Sequence, residues 1–553
     1  MAGNLIVRQL LAVASLMTLS LAHGQAADDM SRYDQATDLA CLAELENERM
    51  HYKLLRSGMQ APGALWAGLD AEIDGLPENR YRELESLVLE SNVESLQQSV
   101  VSGDMSYEEL TLFYLARIRE SENDPARYLN AVISLNPAAV NRARELDAER
   151  LANPDSEWDP VFGMPVLLKD NINVAGMPTT AGAVALQNNL AGNAFITERL
   201  LEKGAIILGK ANLSEWAYFF CDDCPSGWSA MGGQTLNPYG RLQFGTGGSS
   251  SGSGASMAAN YAALAIGSET SGSILSPSSA NSLVGLKPTT GSLSRSGVVP
   301  ISATLDTTGP MVRSVADAVV LFNAMAGYDE DDTAMPLISD DLQLVYRDEP
   351  LAEVRLGAPE SFVDNEFFTG ALRVLSAAEA AIVEITLPEL DFDGFGTLLG
   401  REMVRDLALY LRNHASPMVM IDSVDELQAF NQQRPDIRMP YGQAEVDRMA
   451  ELDVSADALE ELRDNLQSTA RAAMEALFAS NGLDVMLTLN NRNAGFAALA
   501  NYPALTVPMG YQENGRPVGL TFIAPPFQEQ LLIDVGARFE SLTRARRLPA
   551  GYE

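Results

Sequence analysis

The chain has 553 residues, 38 Lys+Arg against 74 Asp+Glu, a formal charge of −36 at pH 7, and 46% hydrophobic residues. An acid excess of that size excludes nucleic-acid binding through a basic surface. The hydrophobic fraction is that of a globular chain able to bury a large core, not of a disordered one.

Residues 1–26 read as a signal peptide. Arg8 precedes an apolar run from Leu10 to Ala22, and Gly24-Gln25-Ala26-Ala27 places small residues around a cleavage point after Ala26. The run is shorter than the about 20 residues of a bilayer-spanning helix, and no later stretch is long and apolar enough to span. A periplasmic or secreted protein without a membrane span is expected. In that oxidising setting Cys221-Asp222-Asp223-Cys224 can close a small disulfide loop, leaving Cys41 over, although Cys41 can also pair with either. A zinc site lacks the second ligand pair it needs.

Residues 27–92 form a polar, weakly helical extension without a recognisable motif, and the catalytic domain is expected over 93–545. Ser106 and Glu109 have capping-box spacing ahead of an apolar stripe through Leu110, Tyr114, Leu115 and Ile118, which predicts a helix. A second helix is expected from Pro137 to Leu151. Strand-like Pro165–Leu168, a helix at Thr197–Lys203 stopped by Gly204, strand-like Ala205–Leu208 and a small-residue helix at Ala255–Ile266 then alternate as in an α/β fold. Strand-like runs recur at Val354–Gly357, Ile382–Leu387, Val485–Leu489, Ala504–Val507 and Val518–Ile523. The last two flank Asn514-Gly515, a hairpin signal that predicts a mixed sheet. The stretch 391–479, with Pro417, Pro435 and Pro440, reads as a helical insert on the same domain.

The most unusual segment runs Gly245-Thr246-Gly247-Gly248-Ser249-Ser250-Ser251-Gly252-Ser253-Gly254, with Gly267-Ser268-Glu269-Thr270-Ser271-Gly272-Ser273-Ile274 shortly after. It fits neither phosphate-loop template. Its hydroxyls and small residues suit nucleophilic acyl transfer if a base is near. Histidine is a poor base here: the chain has only His23, inside the leader, His51, in the extension, and His414, in the insert. No G-x-S-x-G elbow is present. Lysine can replace histidine when burial lowers its pKa. Only five lysines occur (Lys53, Lys169, Lys203, Lys210, Lys287), and Lys169 ends the apolar run Phe162–Leu168.

Lys169-Asp170-Asn171, Gly247-Gly248-Ser249-Ser250, Thr270-Ser271-Gly272-Ser273-Ile274 and Gly285-Leu286-Lys287-Pro288-Thr289 together resemble the amidase signature family, over about Val93 to Leu542. Ala211–Trp216 and Ser226–Gln234 look most like exported bacterial members of the peptide amidase kind. The resemblance implies an α/β fold with a central, mixed, twisted sheet covered by helices on both faces. It implies Lys169 as base, Ser249 as a bridging serine after a cis peptide bond, and Ser273 as the nucleophile that is acylated. Backbone N–H groups of Thr270, Ser271, Gly272 and Ser273 are then the expected oxyanion hole, with Gly247, Gly248 and Ser250 in support. Neither metal nor cofactor is implied, and the partner is a small-molecule or peptide amide, C-terminal peptide amides included. Leu275 departs from relatives that carry Arg at that position, which disfavours small dicarboxylate-derived amides. Lys287 is expected to be structural. An esterase or aryl-acylamidase using the same three residues, or an envelope solute-binding protein without catalysis, are the alternatives. Oligomeric state is left open.

Overall fold

A computed structural model of the chain describes residues 30, 33–61, 63–335 and 342–553. The expected signal peptide lies outside them. Eleven strands make one sheet: β1 (Val132–Leu135), β2 (Pro165–Lys169), β3 (Ile206–Ala211), β4 (Leu264–Glu269), β5 (Val284–Lys287), β6 (Thr307–Val312), β7 (Arg355–Pro359), β8 (Ala381–Ile385), β9 (Val485–Leu489), β10 (Ala504–Tyr511) and β11 (Pro517–Ile523). Their spatial order is β1-β3-β2-β4-β6-β5-β10-β11-β9-β7-β8. β2 runs parallel to both β3 and β4, whereas β10 and β11 pair antiparallel across the Asn514-Gly515 turn, so the sheet is mixed as expected. Every residue of β2, β3 and β4 is buried. Successive side chains of a strand face opposite sides, so both faces are covered here.

The helix expected after Ser106 runs Tyr107–Glu122, with Ser106 and Glu109 closing a reciprocal capping box. The stretch 391–479 is helical, its longest helices being Phe395–Asn413 and Ala456–Asn481. One expectation is corrected. The small-residue helix spans Ser251–Ala258, not Ala255–Ile266, and Leu264–Glu269 is the central strand β4. Asn260 takes a left-handed conformation (φ 57°) that ends the helical turn, and burial between β2 and β6 then outweighs the helix preference of Ala265 and the alanines just before the strand. β1, β5 and β6 were not expected as strands. Pro310 inside β6 argues against a strand in sequence terms, yet it pairs with Ile266 in the interior of the sheet.

The N-terminal extension is not a loose tail. Leu42, Met50, Leu55, Trp66, Leu84 and Val88 are buried in the same apolar cluster as the strands. No helix among the described residues is long and apolar enough to cross a membrane.

The helix Ser251–Ala258 packs so closely that a methyl group on Gly252 would collide with the carbonyl oxygen of Ala131 and the backbone of Asn212. Gly370, inside the helix Glu366–Ala377, has open space around it. Gly252→Ala is therefore expected to lose at least about 2 kcal/mol of stability through overpacking. Gly370→Ala is expected to gain about 0.5–1 kcal/mol, the helix-propensity difference. Urea unfolding of the two variants checks both signs.

Candidate active site

β2 ends in Lys169, whose side chain is wholly buried. Its ammonium nitrogen lies 2.7 Å from Ser249 Oγ, 2.9 Å from Ser268 Oγ and 3.1 Å from the Ser268 carbonyl. Burial among neutral groups disfavours the charged amine and pulls its pKa down to about 7, against a smaller upward pull from Asp306 and Glu269. An amine with that pKa exchanges its proton near neutral pH.

Ser249 sits in the loop ahead of the helix Ser251–Ala258, and the Gly248–Ser249 peptide is cis. A side chain at Gly248 would strike the hydroxyls of Ser226 and Ser214, so only glycine fits. Ser250 fastens this loop to the end of β4: its hydroxyl donates to the Ser268 carbonyl at 3.0 Å and accepts from the Ser268 N–H at 3.2 Å. Asn171, two residues beyond Lys169, donates to Ser268 Oγ at 2.9 Å. Ser268 is thereby held as an acceptor for the lysine.

Ser273 lies in the turn between β4 and the short helix Leu275–Ala280. Its carbonyl accepts from the Ser250 N–H at 3.2 Å, so the two serine loops are joined through backbone. The side chains of Ser249 and Ser273 make no hydrogen bond to each other in this conformation. The turn is organised by Glu269, whose carboxylate accepts the N–H groups of Gly272 (2.6 Å), Ile274 (2.7 Å) and Leu275 (3.1 Å). This corrects the expected oxyanion hole. The Gly272 N–H is already taken by a carboxylate and has no capacity left for a substrate oxygen. The N–H groups of Thr270, Ser271 and Ser273 donate to no acceptor among the described residues. The Thr270 hydroxyl donates to Asp306 at 2.5 Å, tying the turn's first residue to the segment before β6.

Two other lysines are wholly buried but differently employed. Lys210 on β3 pairs with Asp170 at 3.0 Å and donates to Thr179. Lys287 on β5 donates to the carbonyls of Pro288 and Tyr502, a structural role as expected. His51 and His414 are exposed and touch none of the three candidate catalytic side chains. Cys221 and Cys224 form a disulfide, which settles the pairing and leaves Cys41 free. Among the described residues no group of three or more His, Cys, Asp or Glu could hold a metal ion. A cavity of about 630 Å³ borders the loop ahead of Ser249, its lining including Gly247, Ser276 and Asn491. Neither Ser249 nor Ser273 lines it.

Sequence reasoning passed over Ser268, Asn171 and Glu269 as site residues. Glu269 carried the clearest signal, as the one acid in a run of Gly, Ser and Thr.

The family profile described as Amidase matches residues 109–489. The chain belongs to the amidase signature family. A probable amidase of Arabidopsis thaliana is 36% identical over 481 residues, covering 84% of this chain and 92% of the relative. Among solved structures, an amidase family protein from Bacillus anthracis superposes with a TM-score of 0.83 at 36% identity, covering 88% of this chain and 97% of that one. Native peptide amidase from Stenotrophomonas maltophilia gives 0.78 at 38% identity, with 83% and 98% covered. This amidase is thus a hydrolase of amide bonds, and the matched span includes the positions of Lys169, Ser249 and Ser273.

Removing the Glu269 carboxylate leaves three N–H groups of the turn without their acceptor. Glu269→Ala in this amidase is expected to lower kcat/KM for an amide by about 10²-fold through misplacement of Ser273, with a folded protein retained. Turnover assays alongside circular dichroism test this.

Proposed function

We propose that this amidase hydrolyses carboxamides through an acyl-enzyme on Ser273, and that its substrates are peptide amides met outside the cytoplasm. The observation that carries the catalytic reading is the uncharged environment of the Lys169 amine, 2.7 Å from Ser249 Oγ. In the proposed sequence Ser273 turns about its single side-chain torsion to meet Ser249. Lys169 then accepts the Ser249 proton as Ser249 accepts that of Ser273, and the Ser273 oxygen bonds to the substrate carbonyl carbon. The resulting oxyanion is placed against the free N–H groups of Thr270, Ser271 and Ser273. Proton return along the same path reaches the substrate nitrogen, the C–N bond breaks and the amine departs neutral. Water, deprotonated by the same relay, then cleaves the ester to Ser273 and restores the hydroxyl.

The likeness to peptide amidase supports a peptide amide as substrate. Leu275, which is buried and uncharged, offers nothing to a second carboxylate. The leader-like residues 1–26 and the Cys221–Cys224 disulfide support export. Relatives named for the glutamyl-tRNA(Gln) amidotransferase also align, one from Synechococcus being 29% identical over 80% of this chain. The charge of −36 opposes a tRNA partner.

Lys169→Ala is expected to lower kcat by at least about 10³-fold, and Ser249→Ala to leave only a small residue, as for loss of general-base catalysis. Ser273→Ala should abolish both turnover and labelling by a fluorophosphonate. Near-normal rates in Lys169→Ala would remove the lysine from its role. Because the active form is the neutral amine, kcat/KM of the wild type should climb with pH through about 7 and level off above it. Chelators should leave turnover unchanged. Matched amide and ester substrates separate amidase from esterase preference. Export is tested by the mass of the mature protein from the extracytoplasmic fraction, with a first residue of Ala27 expected.

A further inference from the structure

One helix of the 391–479 stretch, Phe395–Asn413, has a polar face turned inward. Glu402, Asp406 and Tyr410 follow one another at four-residue spacing and so share one side of the helix. All three are buried, Glu402 to 1% exposure and Asp406 to 6%. Leu398, Met403 and Leu407 already give the helix apolar side chains to bury. Burying two carboxylates as well forgoes stability that leucines in their place would contribute. What the acids supply instead is direction, because each oxygen bonds a particular donor.

Those donors belong to one irregular loop, residues 298–306, which leads into β6. Glu402 accepts the Thr304 hydroxyl at 2.6 Å and also the Ser302 hydroxyl, and Asp406 accepts the Ala303 N–H at 2.7 Å. Arg405 donates to both acids, at 3.1 Å to Glu402 and 2.7 Å to Asp406, and balances one of their two charges. Arg295 donates to the Ala303 carbonyl. Ile301 and Leu305 are buried in the apolar cluster that also contains Leu275 and Leu398. The loop is therefore fixed both by the helix and by the core.

The same loop reaches the active site at two points. The Val299 N–H donates to the Asn171 carbonyl at 2.7 Å, two residues beyond Lys169. At the other end, one oxygen of Asp306 accepts the N–H groups of Ile301 and Ser302, at 2.8 and 2.9 Å, and its second oxygen accepts the Thr270 hydroxyl at 2.5 Å. Ser302 thus gives its hydroxyl to Glu402 and its N–H to Asp306, so one residue connects the helix to the acid that holds the Ser273 turn.

We propose that Glu402 and Asp406 are positioning residues for amide hydrolysis: through Ser302 and Asp306 they fix Thr270, and with it the N–H groups that meet the substrate oxygen. The inference rests on the oxyanion reading above and adds the part of the chain that holds those donors in place. A misplacement of about 1 Å at a reacting centre can cost on the order of 10²-fold in rate. Ground-state binding is spared, because the full negative charge on that oxygen develops only as the reaction proceeds.

The experiment is a double-mutant cycle on kcat and KM for one amide, with Glu402→Gln in the helix, Thr270→Val in the turn and Tyr410→Phe as control. The Tyr410 hydroxyl donates to Asn173 at 2.7 Å and accepts from Asn189 at 2.8 Å, so Tyr410→Phe removes two buried bonds from the same helix face without touching the loop 298–306. Glu402→Gln and Thr270→Val are each expected to lower kcat about tenfold with KM within about twofold. The double variant should fall no further than the slower single variant, because both changes interrupt one path. Tyr410→Phe should stay within about twofold of the wild type. Losses that multiply in the double variant, an equal loss in Tyr410→Phe, or an unchanged kcat in Glu402→Gln would overturn the inference. Circular dichroism and urea midpoints check that each variant is folded, and Asp406→Asn takes the place of Glu402→Gln in the cycle if the latter is not. Turnover retained by Ser273→Ala would count against the acyl-enzyme reading and not against the cycle, so the two failures are distinguishable.

Discussion

An amine held out of water with no carboxylate against it is the constraint around which this site is arranged. Lys169 meets only hydroxyl and carbonyl oxygens, so burial dominates and brings its proton affinity close to neutral. A carboxylate in direct contact would restore an ordinary, fully charged lysine. The fold meets this condition by placing the residue at the end of a strand flanked by two others, where no surface charge can approach. The acid on the next residue, Asp170, faces the other side of the sheet and is occupied by Lys210.

The acids nearest the site act at one remove. Glu269 spends its charge on three peptide N–H groups of the Ser273 turn, and Asp306 on the Thr270 hydroxyl and the N–H groups of Ile301 and Ser302. Each carboxylate therefore shapes backbone while exerting only a modest upward pull on the lysine. The serines are positioned by similar means. Ser250 binds the strand end, and the carbonyl of Ser273 is bound by the N–H of Ser250, so the Ser249 loop and the Ser273 turn belong to one hydrogen-bonded unit.

Much of this was legible before any coordinates. Lys169 stood out because lysine is scarce and because it ends an apolar run, and the Gly/Ser segments marked where backbone must pass closely. The mixed sheet followed from Asn514-Gly515 between two apolar runs. What escaped notice depended on partners distant in sequence. β4 looked helical because the alanines at and just before its start, Ala262, Ala263 and Ala265, carry no strand preference, and only burial between neighbours makes Leu264–Glu269 a strand. Glu269 was visible as a residue, but its role needs the turn to fold back over it. The Gly272 N–H was misassigned for the same reason. The extension carried no motif because its packing onto the domain rests on Tyr441, Gln35 and Asn130 holding its backbone, which no local pattern encodes.

The distribution of lysines bears on handling the protein in the laboratory. Of five, Lys169, Lys210 and Lys287 are sealed in the interior and Lys203 is half-buried beside Asp159, so Lys53 is the one exposed to solvent. It stands in the cavity wall, its ammonium over the Tyr441 ring. Amine-directed tethering to a resin or labelling with a bulky dye will therefore fall, apart from the terminal amine, on this one wall of the cavity, whereas attachment through the many surface carboxylates will spread over the molecule.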